Sequence, residues 1–128
     1  SEVAATERRY PAAVITSGVC VDPAGPKEDG YFRKRVSERA PVRLFSPIDL
    51  IAAGQPRTLM IHAANDEYCD FTDAERFSVM SGAAGNDVRF VPVPKATHFF
   101  GFYDRSGQAL MRSAIEDALA HWGWLHRP

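Results

Sequence analysis

Two segments of this sequence carry an acid and a base in surroundings where they can act together. Asp66 stands in Ala63-Ala-Asn-Asp-Glu-Tyr68, and His98 stands in Pro94-Lys-Ala-Thr-His-Phe-Phe100. A carboxylate that fixes the tautomer and orientation of an imidazole leaves the other ring nitrogen free to take a proton from a hydroxyl. Taken singly, neither residue says much. An aspartate in a turn ahead of a helix is ordinarily a cap or turn residue, and a histidine before two phenylalanines ordinarily packs. Glu67 and Asp70 compete with Asp66 for the acid's part but read better as dipole and cap residues. His62 lies inside an apolar run and reads as a packed histidine, and His121 and His126 read as surface or packing residues. Phe99, Phe100, Phe102 and Tyr103 can line an acyl or aryl pocket beside His98 or pack on a neighbouring helix; both readings stand.

The elements that would position this pair alternate between strand and helix. Residues 2 to 9 are rich in helix formers and end at Tyr10-Pro11, as the tail of a helix would. Ala12-Ala-Val-Ile-Thr-Ser17 is a short apolar run of the kind buried on both faces of a parallel sheet. Cys20 to Phe45 is irregular and proline-rich, with one short helix expected around Asp29 to Arg39; the stretch 19–45 reads as a lid or connection, with Tyr31 and Phe32 over the substrate or on a solvated helix. Ser46-Pro47 is a helix start, with serine as N-cap and proline at the first position. Arg57 to Ala63 is a second buried strand. Thr72-Asp-Ala-Glu75 fits a capping box before a helix that stops at Gly85-Asn86. Asp87 to Val93 is a third strand, with Pro92 favouring an edge. Leu110, Met111, Ala114, Ile115, Ala118, Leu119 and Trp122 trace the apolar stripe of a closing helix. Strands separated by helices predict an α/β fold, a parallel sheet flanked by helices. In such a sheet chemistry collects on loops at the carboxyl ends of the strands, where Asp66 and His98 both fall.

The order of these pieces resembles the C-terminal portion of α/β-hydrolases of the esterase and lipase group, which includes hormone-sensitive-lipase-like, acetyl-xylan and feruloyl esterases and aryl formamidases. The likeness runs through Ser17-Gly18, Ser46-Pro47-Ile-Asp-Leu50, Pro56-Arg-Thr-Leu-Met-Ile-His62, Asn65-Asp66 and Val93-Pro-Lys-Ala-Thr-His-Phe-Phe100, and so covers nearly the whole chain. It implies that residues 1–128 are the C-terminal part of a single hydrolase domain, with Asp66 the acid and His98 the base of a Ser-Asp-His triad. It further implies a small-molecule ester or related acyl substrate, Phe99 and Phe100 beside it, and no metal or organic cofactor. Ala63 and Ala64 depart from the family, which often has glycine there.

The resemblance also implies a nucleophile turn, G-x-S-x-G, and this sequence contains none. Ser17 is followed by glycine but lacks the preceding one, and the remaining serines read as caps, terminus or helix surface. Cys20 and Cys69 fall on loops after the first and second strands, where a thiol nucleophile is conceivable, although two packed or half-exposed thiols are the plainer reading. The nucleophile is therefore expected on a separate segment. The alternative is a noncatalytic hydrolase-like domain that binds a ligand or partner.

With 128 residues, 45% of them apolar and 24% charged, the chain has the makings of one core. Its net charge of −1, with the basic residues scattered, offers no stripe for nucleic acid. No apolar run approaches the roughly 20 residues that span a bilayer. Three strands leave a sheet edge open, so cover by an N-terminal hydrolase segment or an oligomer partner is expected. Localisation stays open, with the cytoplasm as the default expectation.

Overall fold

The computed structural model describes residues 11–22 and 46–125. The expected helix tail at 2 to 9, the helix around Asp29 to Arg39, Tyr31, Phe32, His126 and most of the 19–45 connection lie outside the described residues, as do the side chains of Phe102 and Tyr103.

Three strands form one parallel sheet in the order β1-β2-β3. They are β1 (Ala13–Ser17), β2 (Arg57–Ala63) and β3 (Val88–Val93). Register pairs Ser17 with Ile61 on one side of β2 and Ala63 with Val93 on the other, so all three strands deliver their following loops to one edge. β2 is central and buried from Leu59 to Ala63. β3 is an outer strand among the described residues, where Pro92 removes no needed ladder donor.

The alternation of β2 divides the interior. Leu59, Ile61 and Ala63 point to one face, where they meet Val93, Phe100, Ala114, Ala118 and Trp122. Met60 points to the other face, with Val21 and Ala74 and the partly buried Phe77, Val88 and Phe90. The first face is covered by α3 (Arg105–His121), whose apolar stripe is the one legible in the sequence. The second is covered by α1 (Phe71–Ala83). A one-turn helix, α2 (Phe100–Tyr103), joins β3 to α3. It meets α3 closely at Gly107, where an added Cβ would come within 2.5 Å of the Phe100 carbonyl oxygen.

Local signals were realised with some changes. The N-cap of α1 is Asp70, which accepts from the Thr72 amide, so the expected capping box headed by Thr72 is not the one used. Thr72 instead sits inside the first turn and donates its hydroxyl to the same carboxylate at 2.5 Å. Ser46-Pro47 does open a helix, but a 3-10 turn (Pro47–Leu50), and the Ser46 hydroxyl donates to Asp22 rather than capping. Asp104 caps α3, accepting from the Ser106 hydroxyl and the amides of Ser106 and Gly107. These bonds hold its carboxyl below the usual range. β1 is not buried on both faces: Ile15 is 45% exposed among the described residues.

Burial fixes the expected energetics. Leu59→Ala should destabilise the protein by about 2–5 kcal/mol, because its side chain is wholly enclosed in the α3-side cluster. Val79→Ala, on the outer face of α1 at 66% exposure, should stay within about 0.5 kcal/mol. Urea denaturation of the intact protein measures both.

Candidate active site

The loop after β2 carries Asp66 and the loop after β3 carries His98, and the backbone holds these loops together beyond the end of the sheet. The Ala64 amide donates to the Val93 carbonyl and the Asn65 amide to the Ala96 carbonyl, both at 3.0 Å. The base loop turns through Lys95, a non-glycine residue at φ +59°. That left-handed residue reverses the chain after β3 and lets Ala96 return to its bond with Asn65.

Asp66 and His98 meet as expected from their positions. His98 Nδ1 lies 2.9 Å from Oδ1 and 2.8 Å from Oδ2 of Asp66. A carboxylate only accepts, so Nδ1 carries the proton and donates to both oxygens, and Nε2 is the nitrogen with a free lone pair. The two side chains differ in access: that of Asp66 is 0% exposed and that of His98 is 23% exposed. The carboxylate is therefore enclosed, and the imidazole reaches the surface. Asp66 Oδ1 also accepts from the amides of Tyr68 at 2.9 Å and Cys69 at 2.8 Å, which fixes the carboxylate within its own turn.

Neighbouring residues narrow what His98 can do. Tyr68 and Phe99 approach its ring edge to face, with centroids at 5.1 and 4.9 Å, and approach each other at 5.7 Å. Both are part-exposed, so they frame the imidazole with apolar surface. Phe100 is 6% exposed and belongs to the core under α3, so of the two adjacent phenylalanines only Phe99 stands at the imidazole. The backbone enters α2 between them, and Phe100 joins the core while Phe99 stays at the imidazole.

Three supports of the pair were not read from the sequence. Glu67, expected as a dipole residue of the turn, accepts from the His98 amide at 3.1 Å and so ties the acid loop to the base loop. Gly18, the first residue after β1, donates its amide to the Ile61 carbonyl and lies directly against the pair. A Cβ there would sit 3.0 Å from His98 Cε1, 3.1 Å from Nδ1 and 3.4 Å from Asp66 Oδ2, and its φ of +60° is itself unfavourable for a side chain.

The third support is a disulfide between Cys20 and Cys69, and it corrects the expectation of two separate thiols. Both cysteines follow adjacent parallel strands, and the paired strand ends bring their Cα atoms to 4.7 Å. Bonded sulfurs are not nucleophiles, so neither cysteine can act as one in this state. Nor do these residues make a metal centre. Donor atoms of Asp66, Cys69 and His98 lie within 4.8 Å of one another, but the sulfur is in the disulfide and Nδ1 is engaged by the carboxylate.

No protein-family model matches the chain, and no curated protein matches it. Solved structures do. The apo form of Thermogutta terrifontis esterase 2 superposes with a TM-score of 0.74 at 24% identity, over 91% of this chain and 44% of that one. Its propionate-bound form gives 0.70 at 22%, over 91% and 45%. The form phosphonylated by sarin gives 0.71 at 22%, over 91% and 46%. The chain thus has part of an esterase-type α/β-hydrolase fold and spans less than half the length of the esterase chains it matches.

Two substitutions test the supports. Gly18→Ala should lower stability by about 1–2 kcal/mol through its left-handed backbone alone, and a crystal structure of the variant should show His98 pushed away from Asp66. Replacing both cysteines by serine should cost about 2–4 kcal/mol of stability by freeing the loop between them, read from chemical denaturation without reductant.

Proposed function

We propose that this chain supplies the acid and base of a serine hydrolase acting on a carboxylic ester or related acyl bond, with the nucleophilic serine contributed by a segment outside these 128 residues. The observation that carries the reading is a buried carboxylate holding Nδ1 of a half-open imidazole, with Nε2 uncommitted among the described residues. The esterase neighbours support it, since one has propionate bound and another is phosphonylated by sarin. Carried over to this chain, those names point to small acyl substrates and to a nucleophile that organophosphorus reagents can trap. The finer placement in the hormone-sensitive-lipase-like, feruloyl esterase or aryl formamidase group is part of the same proposal.

In this mechanism the serine hydroxyl lies at Nε2 of His98, within roughly 2.6–3.2 Å. As oxygen attacks the acyl carbonyl, Nε2 takes the hydroxyl proton and Asp66 stabilises the resulting imidazolium. The same proton goes to the departing alcohol. Water then attacks the acyl-serine with Nε2 as base, releasing the acid and restoring the hydroxyl. Tyr68 and Phe99 offer the acyl group an apolar approach to the imidazole, whereas Phe100 serves by supporting the base loop from the core.

In the intact protein His98→Ala should reduce turnover of an activated ester by about 10⁴-fold or more, with Asp66→Asn also losing several orders of magnitude and KM nearly unchanged. Glu75→Gln, on the exposed side of α1, removes a charge away from the site and should leave the rate as it was. Treatment with an organophosphorus reagent should add one adduct at a serine within G-x-S-x-G. Near-normal turnover by the His98 variant would sink the assignment, and a failure to label any serine would favour a hydrolase-like binding domain.

A further inference from the structure

His62 takes no part in the steps above, yet it lies beside them. It sits on β2 facing α1, 0% exposed, with its ring edge toward Phe71 at a centroid distance of 6.0 Å. Its Nε2 is 3.0 Å from the Cys69 carbonyl oxygen. A carbonyl only accepts, so Nε2 carries a proton. The same nitrogen lies 3.6 Å from Oδ2 of Asp66. Nδ1 is buried and has no hydrogen-bond partner among the described residues.

That bare nitrogen is informative. An aliphatic side chain would fill the strand position without burying an unpaired acceptor, so packing alone gives no reason for an imidazole there. What the ring adds is the N–H on its other side. Cys69 is the residue it grips, and Cys69 is tied twice more to the site: its amide donates to Asp66 Oδ1 and its sulfur is bonded to Cys20. The same nitrogen is also near the oxygen of Asp66 that takes the shorter bond from His98.

We propose that His62 is a positioning residue for the triad acid, holding the Asp66 turn in place through its hydrogen bond to the Cys69 carbonyl. The proposal rests on the reading of Asp66 and His98 as a working pair. It gives β2 a part in catalysis beyond carrying the acid at its end: residue 62 steers residue 66 from inside the sheet.

Two variants of the intact protein separate this from packing. His62→Gln can still send an N–H to the Cys69 carbonyl, and His62→Met fills a similar volume without a donor. The first readout is the low-field proton resonance of the His98 Nδ1–H bonded to Asp66; the second is kcat and KM for an activated ester. His62→Met should shift or broaden the resonance and lower kcat by roughly 10- to 100-fold with KM unchanged. His62→Gln should recover kcat to within about threefold of the unmutated protein. An unaltered resonance and kcat in the Met variant overturn the proposal, and so does equal loss in both variants. If the unmutated protein lacks the low-field resonance, the acid and base pair fails first and takes the proposal with it. A normal resonance in an inactive protein leaves the NMR comparison to decide the role of His62.

Discussion

A carboxylate with no solvent access must be satisfied by the protein around it, and Asp66 is that group. Burying an ionised carboxylate without partners would cost far more than a domain's stability margin. Here the charge meets two amides of its own turn and the imidazole N–H, with a second imidazole N–H nearby. Each of these donors comes from a position fixed by something else: the turn by its cysteine, His98 by the loop after β3, His62 by the central strand. The requirements of one ion thus define the geometry of the whole corner, including the glycine that must leave room for it.

Parallel pairing is what makes such convergence available. Because β1, β2 and β3 run the same way, the residues after each arrive at one edge of the sheet, and residues far apart in sequence become neighbours. A slip of one residue in β2 would exchange the faces of Leu59, Met60, Ile61 and His62, exposing the α3-side cluster and removing the histidine from the acid. Core packing and site geometry are therefore held by the same register. The two helices that cover the sheet keep that register by burying both faces of β2.

Much of this was legible in the residues. β2 was read to its ends because continuous apolar character bounded by Pro56 and Ala64 leaves little freedom, and α3 because its stripe keeps helical spacing. The meeting of Asp66 and His98 followed from strand ends alone. Cys20 and Cys69 fall at neighbouring strand ends by the same rule; weighing each as a separate thiol or nucleophile, instead of as a pair, hid the bond. Gly18, Glu67 and His62 were hidden for another reason. Their contacts are made across about 3 to 3.5 Å between segments that periodicity does not pair. The capping box at Thr72 was a competition between two nearby acceptors, and the residue preceding the helix, Asp70, had the better geometry.

The two sulfurs of the Cys20–Cys69 bond come from segments that follow the paired strands β1 and β2, so the bond staples one strand end to the other. The paired strand ends hold the two cysteines at bonding distance, and once closed the bond opposes separation of those ends. Closing it takes an oxidant. The acid corner of this protein is thus finished by the redox chemistry of its surroundings: where thiols are oxidised it is covalently sealed, and where glutathione keeps them reduced the same fold is held there by hydrogen bonds and packing alone.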